Sequence, residues 1–298
     1  MNLLANPTLR LFIGAALISL SPVWVKLTSV SATSSAFWRL AIGGLAVAAY
    51  LLISRRRIRF SARIWQVLVL AAVFIALDMW FYHRSIQLIG PGLATLIANF
   101  QVFVMAGAGF IILRQPPSRL QLVAIPMALL GLSLIVGIDW RGLPDNYRNG
   151  ILYGFGAAVT YAAYLLSMRR SRQDSTNRVP SREIAVMSLM GAAMLGVAAL
   201  IEGESLAIST ASDATWLACY GILSHGLGML FITSSLPHVT TTQAGVALLL
   251  QPTLSFAWDV LFFARPLSTL ELLGAAIALF AIYLGSRARS DQLQGARE

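Results

Sequence analysis

Residues 94–137 read ATLIANFQVFVMAGAGFIILRQPPSRLQLVAIPMALLGLSLIVG, and residues 244–285 read AGVALLLQPTLSFAWDVLFFARPLSTLELLGAAIALFAIYLG. Each runs from an apolar, helix-length segment through a short Arg/Pro turn into a second apolar segment that ends on glycine. Gln101 and Gln251 align at an offset of 150. IGAAL from Ile13 pairs in the same way with FGAAV from Phe155. The chain therefore reads as one unit written twice, over residues 1–140 and 141–298.

The unit is a set of membrane helices. Of the 298 residues 57% are apolar and 11% charged, where a soluble domain carries about 25% charged residues. A helix crossing about 30 Å of hydrocarbon needs about 20 mostly apolar residues. Ten such runs can be counted, at 9–27, 34–53, 64–86, 91–113, 120–138, 149–168, 183–201, 214–236, 240–263 and 267–286. They lack strict two-residue alternation, so helices and not a barrel are expected. The fold class expected is an all-α membrane protein with ten transmembrane helices as two five-helix repeats. An odd number of crossings per repeat turns the second copy upside down. Inverted repeats of this kind build secondary transporters, with the substrate site near mid-bilayer where the halves meet.

Charge orients the chain. The net charge of +10 comes from short basic clusters between apolar runs, without the aromatic interleaving of a nucleic-acid surface. With the N-terminus inside, 16 of the 22 Lys and Arg fall on the cytoplasmic side, among them the RRRIR cluster 55–59, Arg114 and Arg119, and the group 169–182. Arg141, Arg148 and Arg265 fall outside, with the acidic IEGES loop of Glu202 and Glu204. Both termini are then cytoplasmic. The first apolar run reads as a retained helix, not a cleaved signal. Cys219 is the single cysteine, so no disulfide forms within the chain.

Ionisable groups inside the runs point to function. Asp78 lies in IALDMWFYHRSI, at the end of an otherwise apolar run. A charge at a helix centre costs about 2.5–3.5 kcal/mol, so it faces a cavity or a partner. At 1.5 Å per residue Asp78 sits roughly 12 Å, and Arg39 roughly 8 Å, below the outer ends of their spans. The spacing allows an Arg39–Asp78 ion pair, a cavity carboxylate that engages an ammonium or a proton, or a side chain reaching the outer surface. His83 lies one turn further out. His225, central in its span, suits either a proton shuttle or a structural hydrogen bond. Asn99, Gln101 and Gln251 are central amides, and the repeat brings the two glutamines near its shared axis. Pro252 and Pro22 can kink their helices and serve as gates. Tyr82, Tyr161 and Tyr164 add aromatic surface that belt anchoring explains poorly, whereas Trp38, Trp65, Trp140 and Trp216 read as interfacial. Gly150, Gly154 and Ala158 form a close-packing stripe.

Four features together resemble the EamA branch of the drug/metabolite transporter superfamily: the doubled five-span layout, FWRLAIGGL with Arg39, GILYGFGAAVTYAAYLLSMRR, and LLQPTLSF with Pro252. Within that branch the chain looks most like the YddG-type exporters of aromatic and other amino acids from bacterial inner membranes. The family commonly has a proline in span four and a glutamate after spans four and nine. Here Val102, Gln115 and the Ala264–Arg265 pair occupy those places. The resemblance implies export by alternating access.

The expected substrate cavity comprises Asp78, Tyr82, Asn99, Gln101, Tyr161, Tyr164, His225 and Gln251, with Arg39, Asp78 and His83 for ion pairing or coupling. An apolar, aromatic cavity with few polar groups suits large neutral amino acids. The alternative is efflux of cationic drugs or quaternary amines. No ATP-binding, protease or metal-ligand pattern is present in the sequence, so no cofactor or metal is expected. A monomer is expected, with the bilayer as its surroundings.

Overall fold

The computed structural model describes residues 6–55, 60–113, 119–136, 142–173, 180–239 and 241–295. Several groups of the loop-charge reading lie outside the described residues: the RRRIR cluster beyond Arg55, together with Arg114, Arg141, Arg178 and Arg297. So do Gln115 and Trp140.

Among the described residues every regular element is helical. Helix α1 (Pro7–Ser19) is capped by the Asn6 side chain and stops short of Ser21 and Pro22. Pro22 has no N–H to offer the turn before it and is comfortable only in a first turn. The chain therefore restarts as α2 (Ser21–Leu27). After the Ser31 cap comes α3 (Ala32–Ile53), and after the Ser61 cap α4 (Ala62–Ile89). Gly90 ends α4 and caps α5 (Pro91–Ala98), which a tightened turn at Asn99 and Phe100 separates from α6 (Gln101–Leu113). Then come α7 (Arg119–Val136), α8 (Asp145–Gln173) and α9 (Pro180–Ile201). The next span is composite: α10 (Ala211–Ala218), a ten-residue π-helix Cys219–Gly228, and α11 (Met229–Ser235). Helices α12 (Thr241–Phe263) and α13 (Thr269–Gly295) complete the chain. Pro252 lies inside α12, which continues through it.

Among the described residues, eight stretches are long and apolar enough to cross a membrane. The sequence suggested ten. Two apolar stretches, Ala247–Phe263 and Thr269–Leu284, fall short of that length, although the helices that hold them run to 23 and 27 residues.

Helix pairing follows the sequence duplication. Helices α3 and α9 pack together, as do α5 with α12 and α7 with α13. Each of these pairs joins elements about 150 residues apart. Helix α4 packs along α8, and α1 packs correspondingly along the α10–α11 span. Hydrocarbon supplies no hydrophobic drive between helices, so association depends on close packing and small residues. At the α7–α13 contact a Cβ on Gly131 would stand 2.6 Å from the Gly274 carbonyl. On α8, Cβ atoms added at Gly150 and Gly154 would stand 2.5 Å from Ile89 and 2.9 Å from Ile97. The Ser85 hydroxyl donates to the Gly150 carbonyl in the same contact.

Candidate functional site

Among the described residues, three spans depart from regular α-helix: at Leu20, at Asn99–Phe100, and through the π-helix. Helix α3, opposite the π-helix, is regular. The two meet closely because Gly43 and Gly221 remove side chains from the contact: a Cβ on Gly43 would lie 2.5 Å from His225 Cδ2 and 2.9 Å from the Gly221 carbonyl. Arg39 stands one turn before Gly43. It faces Tyr220, just as Gly43 faces His225.

Arg39 Nη1 donates to the Tyr220 hydroxyl at 2.8 Å, and the guanidinium carbon lies 4.9 Å from the centre of the same ring. The Tyr220 hydroxyl also meets His83 Nε2 at 2.9 Å, and His83 Nδ1 meets the Met79 carbonyl at 2.7 Å. A carbonyl only accepts, so Nδ1 carries the hydrogen of a neutral His83 and Nε2 accepts. The Tyr220 O–H then points to Nε2, leaving its oxygen to accept from Arg39. Every proton in the chain Arg39–Tyr220–His83–Met79 thus has one direction. Arg39, His83 and Tyr220 are all buried.

Asp78, one turn before Tyr82 on α4, is also buried. The ion pair that depth allowed does not close. Arg39 is turned to Tyr220 instead, and among the described residues no cation or hydrogen-bond donor reaches Asp78. Arg39, Tyr82, Tyr161 and Tyr220 nevertheless lie within its electrostatic reach. Tyr82 is held by Thr95 at 2.7 Å; the Thr95 hydroxyl donates to the Pro91 carbonyl, so the Tyr82 O–H donates to Thr95. Tyr161 leans on Tyr164 with ring centres 5.5 Å apart. His225 Nε2 pairs with the buried Ser188 hydroxyl at 2.8 Å. The Asn99 amide turns back to its own helix and donates to the Thr95 carbonyl. Gln101 and Gln251 are half-buried, and among the described residues neither is bonded to the Arg39–Asp78 cluster.

Among the buried polar atoms of these spans without a partner among the described residues are Ser21 Oγ, Trp24 Nε1, Arg39 Nε and Gln101 Oε1. Buried polar groups are normally satisfied, and in a dry interior an unpaired one is costly. Trp24 stacks on Trp216 at 5.6 Å and packs against the core that contains Tyr82 and Tyr220.

At the Glu202 end a second polar cluster ties the halves together. Glu202 accepts from Thr33 at 2.6 Å, Trp80 at 2.7 Å and Arg84 at 2.9 Å. Glu204 accepts from Ser31 and from the Thr33 N–H. Asp213 takes both the N–H and the hydroxyl of Ser29 at 2.7 Å. On α12, the buried Asp259 accepts from the Gly92 N–H at 3.0 Å and pairs with Arg265 at 3.3 Å. Asp259 thereby caps the N-terminus of α5 from the other half.

Sequence reasoning missed Tyr220, Ser188 and Asp259. Asp259 carried the same signal as Asp78, an acid inside an apolar run.

The model of the EamA-like transporter family matches the chain twice, over residues 8–137 and 148–287. A solved structure described as "Crystal structure of protein" is similar at a TM-score of 0.68, covering 94% of this chain and 97% of that one at 19% identity, a likeness of fold alone. Comparison with curated proteins finds no match.

Proposed function

We propose that this chain, which belongs to the EamA-like transporter family, moves large neutral amino acids, aromatic ones included, as zwitterions. Proteins of this family are membrane transporters, so the activity is translocation and not catalysis. The finer reading, close to the YddG-type exporters, takes the two halves as inverted repeats that alternate access to a site between them. It runs outward across a bacterial inner membrane, with both termini cytoplasmic and residues 1–140 and 141–298 as the two units.

One observation carries the substrate class. Arg39 and Asp78 lie within electrostatic reach of each other yet stay unpaired, among the aromatic rings of Tyr82, Tyr161 and Tyr220. A free carboxylate suits an ammonium, and a guanidinium with an unpartnered N–H suits a carboxylate. The rings suit an apolar side chain. A lone cation gains from Asp78 but meets Arg39, which argues against quaternary amines.

The test is counterflow of labelled L-phenylalanine in proteoliposomes. Wild-type protein accumulates label. Asp78→Asn and Arg39→Gln each reduce initial rates by roughly tenfold or more, in line with losing one charged hydrogen bond. Equal rates in all three, at equal incorporation, would refute the assignment. Gln101→Ala and Gln251→Ala, assigned to the same cavity, reduce the rate less because neither is charged.

A further inference from the structure

We infer that Tyr220 is the positioning residue that holds the binding site open, by keeping Arg39 from collapsing onto Asp78. This rests on the zwitterion reading above. A guanidinium and an ionised carboxylate within reach of each other can close into a bidentate pair when nothing else engages the guanidinium. In this protein they remain apart. What holds Arg39 is visible: its Nη1 donates to the Tyr220 oxygen at 2.8 Å, and its charge lies 4.9 Å from the centre of the Tyr220 ring. Tyr220 is itself fixed, fully buried, by its bond to His83 Nε2 at 2.9 Å. His83 in turn is fixed by the Met79 carbonyl, one residue after Asp78.

The proton directions make the device specific. Because His83 Nε2 takes the phenolic hydrogen, the Tyr220 oxygen presents a lone pair to Arg39. Nη1 is thereby engaged and Nε left without a partner among the described residues. Asp78 is likewise left with its lone pairs free for an ammonium. Removing the phenolic oxygen while keeping the ring frees Nη1, and Asp78 is an acid within its electrostatic reach. Closure of that pair consumes both recognition groups together. The loss then falls on affinity for a zwitterion and not on the helix packing that the Tyr220 ring maintains.

His83 enters only through its acceptor nitrogen. Glutamine can place an acceptor at the Nε2 position, and alanine cannot. This separates positioning from bulk packing.

The experiment measures equilibrium binding of labelled L-phenylalanine to purified full-length protein, with 15N-histidine NMR on the ligand-free protein. The wild type is expected to show His83 protonated on Nδ1. Tyr220→Phe and His83→Ala are each expected to weaken binding by about tenfold, the scale of one charge-assisted hydrogen bond. The double variant should lose no more than either alone, because both act through one chain of bonds. His83→Gln should bind within about threefold of wild type, since its acceptor is retained. Wild-type affinity in Tyr220→Phe, additive losses in the double variant, or His83 protonated on Nε2 would each overturn the inference while leaving the zwitterion reading intact. Failure of L-phenylalanine to bind the wild-type protein would overturn that reading and this inference with it.

Discussion

At the scale of single residues, the buried polar groups around Arg39 divide into those with a fixed partner and those, such as Arg39 Nε, without one among the described residues. His225 belongs to the first kind. Its Nε2 has the Ser188 hydroxyl, and helix α3 presses on its ring through Gly43. Ser188→Ala leaves that nitrogen unpaired where no water competes, which costs about 1–3 kcal/mol. A lower melting temperature in detergent, with L-phenylalanine affinity little changed, is the expected result. Gly43→Ala drives a methyl to 2.5 Å from His225 and 2.9 Å from a backbone oxygen. A backbone oxygen cannot swing away, so the helices must separate, at about 1–3 kcal/mol. Because Arg39 is one turn away, this variant should lose both stability and affinity, measured by melting and by binding.

At the scale of elements, the breaks in the helices matter more than the helices. A regular α-helix would set Tyr220 and His225, five residues apart, about 140° from one another. Bonds running i to i+5 through Cys219–Gly228 bring both to the side facing α3. That explains how much of the site was legible in the sequence. Asp78, Arg39 and His83 are visible as ionisable groups in apolar runs, whatever the local winding. Tyr220 is not, because its role depends on a register that the hydrophobic pattern of YGILSHGLG does not encode. Gln101 and Gln251 show the opposite limit: repeat equivalence gives their depth and nearness to an axis but not the rotation of a side chain. Pro22 was visible in the sequence as a possible kink, whereas the Gly90–Pro91 break and the Ser31 and Ser61 caps come from the structure. Gly90 illustrates the constraint on such boundaries. It holds φ at 84°, and a Cβ there would lie 3.0 Å from an Asp259 carboxylate oxygen. Gly90→Ala therefore strains the backbone and disturbs the cap on α5, and a loss of about 1–3 kcal/mol is expected from thermal melting.

At the scale of the whole molecule, carboxylates at the Glu202 end bridge the two halves. Under the alternating access proposed above, those bridges would break as this end opens. Burial disfavours charge on Glu202, but hydrogen bonds from Thr33, Trp80 and Arg84 and the Arg84 charge together hold its carboxyl below the usual glutamate range. A depressed acid stabilises the closed, folded form above its ordinary pKa and loses that contribution as pH falls through the depressed value. Melting temperature should therefore drop on acidification from about pH 7 to about pH 3, and drop less in Glu202→Gln, which lacks this titration. An identical pH slope in the two proteins would remove Glu202 from the latch. In transport, Glu202→Gln should ease opening at this end and raise the accessibility of a cysteine placed at Thr33 to a membrane-impermeant thiol reagent.

In the reading proposed above, an unpaired Arg39 and Asp78 together recognise one zwitterion. The most direct measurement is competition for binding among L-phenylalanine, 2-phenylethylamine and 3-phenylpropionate, three molecules that share a ring and differ in which charges they carry. L-phenylalanine should bind more tightly than either single-charge analogue, by about tenfold or more, and Asp78→Asn and Arg39→Gln should each abolish that advantage. Tighter binding of 2-phenylethylamine than of L-phenylalanine would contradict it and assign the protein to cations.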